Sequence, residues 1–262
     1  MKAPGEYAKI MLPELTFPYL IPGQEVLLDD GKIHLKIVEK AENVTENGGE
    51  NTQEKHYFAK VLWGGLLKSR KSAALPGAKI YPPTLTNSDL ANIKIAKEMG
   101  VTGVMQPFVR DHSDLERVKE ALREAGAEDI RLFAKIENMD GVRKLEKLLP
   151  AADEIVIARG DLGNAVHLWD LPGVQRQISE KCRAAGKPFM VVTQMLASME
   201  RSPVPTRAEV NDIFHAVMDG AASIMVTGET AVGDYPVEVI RYMVNTVRSA
   251  EKEENRQTIA SV

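Results

Sequence analysis

From Pro83 onward the chain alternates between short β-favouring runs and longer amphipathic stretches, and few architectures accommodate that alternation. The runs Gly103–Val109, Arg131–Ile136, Glu154–Ala158, Phe189–Thr193 and Ser223–Thr227 are apolar almost throughout and end in polar or glycine-bearing turns. Between them, 113–124 places Leu115, Val118, Ala121 and Leu122 at helical spacing, with Gly126 as a stop. The stretches 141–149, 172–184, 206–218 and 236–251 read the same way, and Thr206 with Glu209 forms a capping-box pair. Strands without polar alternation, each followed by a helix, predict a parallel α/β sheet covered by helices. Polar residues stand at nearly every strand end: Lys135 and Glu137, Asp161, Thr193, Glu229. A (β/α)8 barrel of the TIM type turns all its strand ends toward one site, whereas a doubly wound sheet gathers its chemistry at one switch point. The distribution favours the barrel, but only five strands are present, so the barrel is expected to be incomplete.

Upstream of the proline-rich stretch 75–83 the pattern is all-β. Glu25–Leu28, Ile33–Val38 and Tyr57–Leu62 are strand-like, with Asp29-Asp30-Gly31 turning between the first two. Polar residues around Asn47-Gly48-Gly49 mark 43–55 as a loop or long hairpin tip. The expected organisation is a small all-β domain over 1–74 and a partial barrel over 75–262. The 262 residues, 44% hydrophobic and 27% charged, suit a globular chain with a buried core. A net charge of −4 offers no basic surplus for a nucleic-acid backbone. The single cysteine, Cys182, excludes an intramolecular disulfide and suits a reducing compartment. No apolar run approaches the ~20 residues that cross a bilayer. Prolines and Glu14 interrupt the greasy segment 10–22, which has no signal-peptide flanks. The expected location is the cytoplasm, with no membrane partner.

Glu137 and Asp161 stand about one strand–helix unit apart, at the ends of neighbouring strands. Two carboxylates plus water and substrate oxygens make a typical Mg²⁺ environment, although a solvated or ion-paired couple would look the same in sequence. Arg159-Gly160-Asp161-Leu162-Gly163 lets the backbone turn sharply and offer amides to an anion, or is an ordinary turn before a helix. Strand alternation puts Lys135 and Glu137 on one side. They either pair with each other, or the lysine faces a phosphoryl group or an enolate oxygen beside a metal. Thr193-Gln194-Met195 and Thr227-Gly228-Glu229-Thr230 end two further strands. The five histidines show no ligand spacing, and no GxxxxGK[ST], GxGxxG or CxxC pattern occurs.

Taken together, these segments resemble the pyruvate kinase family. Ala134-Lys135-Ile136-Glu137-Asn138 with Gly141-Val142 is similar to its active-site signature. Ala158–Gly163, Ala185–Pro188, Thr193–Leu196, Pro205–Glu209, Asp219–Ala221 and Gly228–Ala231 with Gly233–Pro236 follow in the family's order. Upstream, Leu28–Ile33 resembles its lid domain, and Lys68–Lys71 with Leu75–Gly77 the return into the barrel. The resemblance spans about 24–251. It implies Mg²⁺-dependent (or Mn²⁺-dependent) phosphoryl transfer between phosphoenolpyruvate and ADP, giving pyruvate and ATP. In that scheme Lys135 stabilises the phosphoryl group in flight, and Glu137 and Asp161 hold the metal. Arg159, Gly160 and Asp161 meet the substrate, the Gly160 and Asp161 amides receiving its carboxylate, and Thr193 stands near the methyl carbon as a second catalytic residue.

Departures from the family pattern shape the expectation. Its first two barrel strands, with the residues for the monovalent cation and nucleotide phosphates, have no match, which makes K⁺ a doubtful cofactor. Met1-Lys2-Ala3-Pro4 only loosely resembles the end of the third strand, and the C-terminal domain has no counterpart past Ala250. Pro107 replaces a serine, and Val232 a lysine. An open barrel implies edges paired by a second copy or by a complementing chain. Two other functions fit the same residues: a non-catalytic phosphoenolpyruvate- or pyruvate-binding or regulatory protein, and an enolate-stabilising lyase or decarboxylase.

Overall fold

The computed structural model describes residues 8–29, 31–41, 56–69 and 71–260. The expected loop at 43–55, the segment Met1-Lys2-Ala3-Pro4, and Asp30 and Arg70 lie outside the described residues. The chain divides into two compact units, Met1–Pro82 and Pro83–Val262.

Among its described residues the first unit carries a 3-10 turn, Glu14–Tyr19, and four strands: β1 (Glu25–Leu28), β2 (Ile33–Ala41), β3 (His56–Trp63) and β4 (Ala73–Ala74). They form an antiparallel sheet in the order β3-β2-β1-β4. Asp29 and Gly31 turn β1 into β2 with φ of 50° and 82°, the left-handed conformation that tight hairpins require. One face of β1 and β2 buries Val26, Leu28, Ile33, Leu35 and Ile37 with Leu20 and Leu75. The core continues past β4 because Ala78 and Ile80 also pack on it.

The second unit begins with α1 (Asn87–Ala96), an element not among the expected helices, which Thr86 and Asp89 start with a capping box. There follow β5 (Gly103–Gln106), α2 (His112–Glu124), β6 (Arg131–Ile136), α3 (Met139–Arg143), α4 (Leu145–Leu148) and β7 (Glu154–Ala158). Then come α5 (Arg159–Ala165), α6 (Leu171–Ala184), β8 (Phe189–Val192) and a 3-10 turn, Ala197–Glu200. α7 (Arg207–Met218), β9 (Ser223–Met225), α8 (Gly228–Ala231) and α9 (Pro236–Ala260) complete the unit. The five anticipated strands all form, although β5, β8 and β9 stop short of their expected ends, and the expected 141–149 helix is two short pieces. No helix among the described residues is long and apolar enough to cross a membrane.

The strands of this unit lie parallel in the order β5-β6-β7-β8-β9, which is also their order in the chain. A doubly wound sheet would reverse direction partway across, and this one does not. The packing agrees. Leu132, Ala134, Ile136, Ile155, Ile157, Phe189 and Val191 point to one side, where residues of α1 to α7 and α9 bury them in a single core. The other face carries Val156, Ala158 and Val192 with Phe133, Met190 and Met225, and no helix contributes to that cluster. Helices on one face only, with strands in sequential order, are the pattern of a barrel wall. Among the described residues, β5 and β9 are the edges of this sheet.

Candidate active site

The residues singled out from sequence collect at the carboxyl ends of β6, β7 and β8. Pairing in register sets Lys135 of β6 beside Val156 of β7, and Ala158 beside Val192 of β8. Alternation places Lys135 on the same face as Phe133, the face free of helices.

Lys135 Nζ lies 2.7 Å from Glu137 Oε1. The carboxylate side chain is 1% exposed and the lysine 25%. A carboxylate buried that deeply is tolerated only when paired and hydrogen-bonded. Its second oxygen, Oε2, accepts the Phe108 amide at 2.7 Å. That amide is aimed by a left-handed residue, Phe108 with φ 51°, an uncommon conformation for a bulky side chain. The next residues fasten the same loop: the Val109 amide donates to the Lys135 carbonyl, and Asn138 Nδ2 donates to the Val109 carbonyl at 3.1 Å. Asn138 Oδ1 meanwhile caps α3 by accepting the Gly141 amide at 2.9 Å. A Cβ on Gly141 would stand 2.6 Å from the Val109 carbonyl oxygen, so this position needs glycine for closeness of approach. The segment 135–141 is therefore a fastening between β6 and the loop after β5.

That loop is held from its far side by Asp114, whose carboxylate takes hydrogen bonds from the Arg110 amide, the Arg110 guanidinium and the Thr84 hydroxyl. Burial raises the Asp114 carboxyl, but these donors outweigh it and hold the pKa at about 2.

The end of β7 runs directly into α5, placing Arg159, Gly160 and Asp161 in its first turn. The Gly160 amide donates to Thr193 Oγ1 at 2.8 Å, and that hydroxyl donates to the Val192 carbonyl at 2.6 Å. An anion arriving at the Gly160 amide must therefore displace a hydroxyl. Thr193 and Gln194 are both left-handed, with φ of 77° and 53°. Arg159 binds their backbone: Nη2 donates to the Thr193 carbonyl at 2.8 Å and to the Gln194 carbonyl at 3.3 Å. Its Nη1 meets both carboxylate oxygens of Asp212, at 2.8 and 2.6 Å. Farther along, the Leu196 amide donates to Glu229 Oε1 at 3.2 Å, and the Thr227 amide to Glu229 Oε2 at 2.8 Å. Ser198 gives its amide and hydroxyl to Glu209, which also completes the capping box of α7 with Thr206. Burial raises the Glu209 carboxyl, yet the Ser198 and Thr206 hydrogen bonds prevail and leave it below the usual glutamate range.

Of the residues read from sequence, Lys135 and Glu137 are thus in direct contact. Gly160 and Thr193 are bonded to each other, and Arg159 spans from them to α7. Phe108, Asn138, Asp114 and Asp212 were not singled out as functional. Three of them act through short-range geometry that sequence does not display. Asp212 left a trace, lying three residues after Glu209 on one face of a predicted helix.

Among the described residues no cluster of three or more His, Cys, Asp or Glu side chains could hold a metal ion. A hard divalent ion bound chiefly by water and substrate needs only one or two protein carboxylates. Glu137 meets that condition, since each of its oxygens retains a lone pair after accepting one hydrogen bond.

Residues 6–240 match the model of the pyruvate kinase barrel domain. Similar proteins include the pyruvate kinase of Bacillus licheniformis, 38% identical over 239 residues, which cover 91% of this chain and 39% of the relative. That of Geobacillus stearothermophilus is 40% identical over 233 residues, covering 87% and 38%. That of Clostridium acetobutylicum is 35% identical over 234 residues, covering 89% and 47%. The chain spans about two-fifths to one-half of the length of these curated relatives.

Proposed function

The chain belongs to the pyruvate kinase family, and from that premise we propose that it binds phosphoenolpyruvate and a divalent cation and takes part in phosphoryl transfer to ADP, yielding pyruvate and ATP. The observation that carries this reading is the Lys135–Glu137 pair, a cation and a buried carboxylate 2.7 Å apart at the end of a parallel strand. The neighbouring strand end supplies Arg159, Gly160 and Asp161.

Transfer breaks the bond between phosphorus and the enol oxygen and leaves negative charge on that oxygen. The Lys135 ammonium is the group that offsets charge on the transferring phosphoryl, and Glu137 keeps the ammonium in place. Glu137 and Asp161 are the proposed carboxylate ligands of Mg²⁺ or Mn²⁺. When bound, such an ion neutralises charge on the enol and phosphoryl oxygens. Arg159 shapes the turn that meets the substrate carboxylate, and the Gly160 amide receives that carboxylate once Thr193 Oγ1 yields it. Thr193 then stands beside the carbon that takes up a proton. The location that fits this chemistry is the cytoplasm.

A coupled assay with phosphoenolpyruvate, ADP, Mg²⁺ and K⁺ tests the reading. The expected result is pyruvate formation that Asp161→Ala abolishes. Formation that is identical in Asp161→Ala would overturn the role given to Asp161, and none at high protein concentration would overturn turnover by this chain.

A further inference from the structure

The loop that follows β8 has a physical problem to solve. Thr193 and Gln194 hold adjacent left-handed conformations, which side-chain-bearing residues adopt only when their surroundings over-determine them. The determinants converge on Arg159. Its Nε and Nη2 both reach the Thr193 carbonyl, at 3.3 and 2.8 Å, and Nη2 also reaches the Gln194 carbonyl and Met195 Sδ. The arginine side chain is 12% exposed, so its charge needs a counterion nearby. Asp212 supplies it from α7, with two charge-assisted contacts of 2.6 and 2.8 Å to Nη1. One turn earlier on that helix, Glu209 holds the same loop at Ser198.

We propose that Asp212 is a positioning residue: it fixes Arg159 against the Thr193 and Gln194 carbonyls and thereby sets the Thr193 hydroxyl on the Gly160 amide. The inference deepens the functional reading above and rests on it only for the ligand-binding arm of its test. Asp212 touches no reacting atom in this scheme. Without its carboxylate the largely buried guanidinium has every reason to swing toward water, and the two left-handed residues lose the donors that hold their carbonyls.

The test compares wild type with Asp212→Ala, Asp212→Asn and Asp212→Glu by amide hydrogen exchange and by calorimetric titration with oxalate in Mg²⁺. The expected result is a drop in Gly160 amide protection of about tenfold or more in Asp212→Ala, with amides of β6 and β7 protected as in wild type. Oxalate affinity should fall by a similar factor, and Asp212→Glu should recover part of both. If Asp212→Ala does not fold, Asp212→Asn, which keeps one acceptor and the same shape, should show the same change to a smaller degree. Gly160 protection equal to wild type in Asp212→Ala, or in Asp212→Asn where Asp212→Ala does not fold, would overturn the proposal. If wild type binds no oxalate, the functional reading fails while the exchange measurement still decides the role of Asp212.

Discussion

Single side chains at this site are held by charge more than by shape. Lys135 and Glu137 illustrate it: the carboxylate is buried, and removing its cation leaves the Phe108 amide as its one donor among the described residues. Lys135→Met is therefore expected to cost about 3 kcal/mol of stability, measured by urea unfolding, in addition to any loss of activity. Asp114 makes a pH-dependent contribution whose direction is fixed. Its pKa of about 2 lies below the ordinary 3.8, so its stabilisation is complete above pH ~4 and is lost as pH falls toward 2. The stability gap between wild type and Asp114→Asn should be on the order of 2 kcal/mol at pH 7 and should shrink as the pH falls through that window. Cys182 is the opposite case, a thiol that burial pushes up to about 12. It should resist thiol reagents in the native protein and react only on unfolding. Lys135 and Glu137 could be placed on one side from alternation alone, because a strand's period of two is strict. The left-handed conformations of Phe108, Thr193 and Gln194 had no such signature, since none is glycine and each is held by a partner distant in sequence, the Glu137 carboxylate accepting the Phe108 amide and Arg159 donating to the Thr193 and Gln194 carbonyls.

At the scale of elements, the strands of the second unit were legible because their apolar runs are continuous, and α7 because Thr206 and Glu209 announce its start. Helix α1 carries the same kind of signal in Thr86 and Asp89, but it sits just after the proline-rich stretch, whose strand breakers mask a helix start. The segment after β6 splits into α3 and α4 at Lys144, whose φ of −99° and ψ of 10° interrupt the helical run. What ties elements to the site is backbone proximity, and Gly141 is its clearest instance. Gly141→Ala should push α3 off the Val109 carbonyl and destabilise by about 1–3 kcal/mol, with the thermal midpoint as the readout. A smaller control belongs to α7. Thr206→Ala removes one half of its capping box and should cost about 1 kcal/mol without altering the Lys135–Glu137 pair.

For the whole molecule, sequential strand order and one-sided helices give a barrel wall rather than a doubly wound sheet, as the strand-end residues had suggested. Closure is a different matter, because edge pairing depends on chain that no local pattern describes. β5 and β9 each have a neighbouring strand on one side only among the described residues, and Met105 on β5 is 38% exposed. Edges of this kind are templates for pairing. The expectation is a concentration-dependent mass by light scattering, and a strictly monomeric protein would contradict edge pairing. The proposed chemistry depends on something narrower, that Glu137 and Asp161 share one divalent ion beside the Lys135 ammonium. Calorimetric titration of the purified chain with oxalate tests it most directly. The account predicts binding that requires Mg²⁺ or Mn²⁺ and disappears in Asp161→Ala. Oxalate binding of equal strength without the cation, or unchanged in Asp161→Ala, would contradict it.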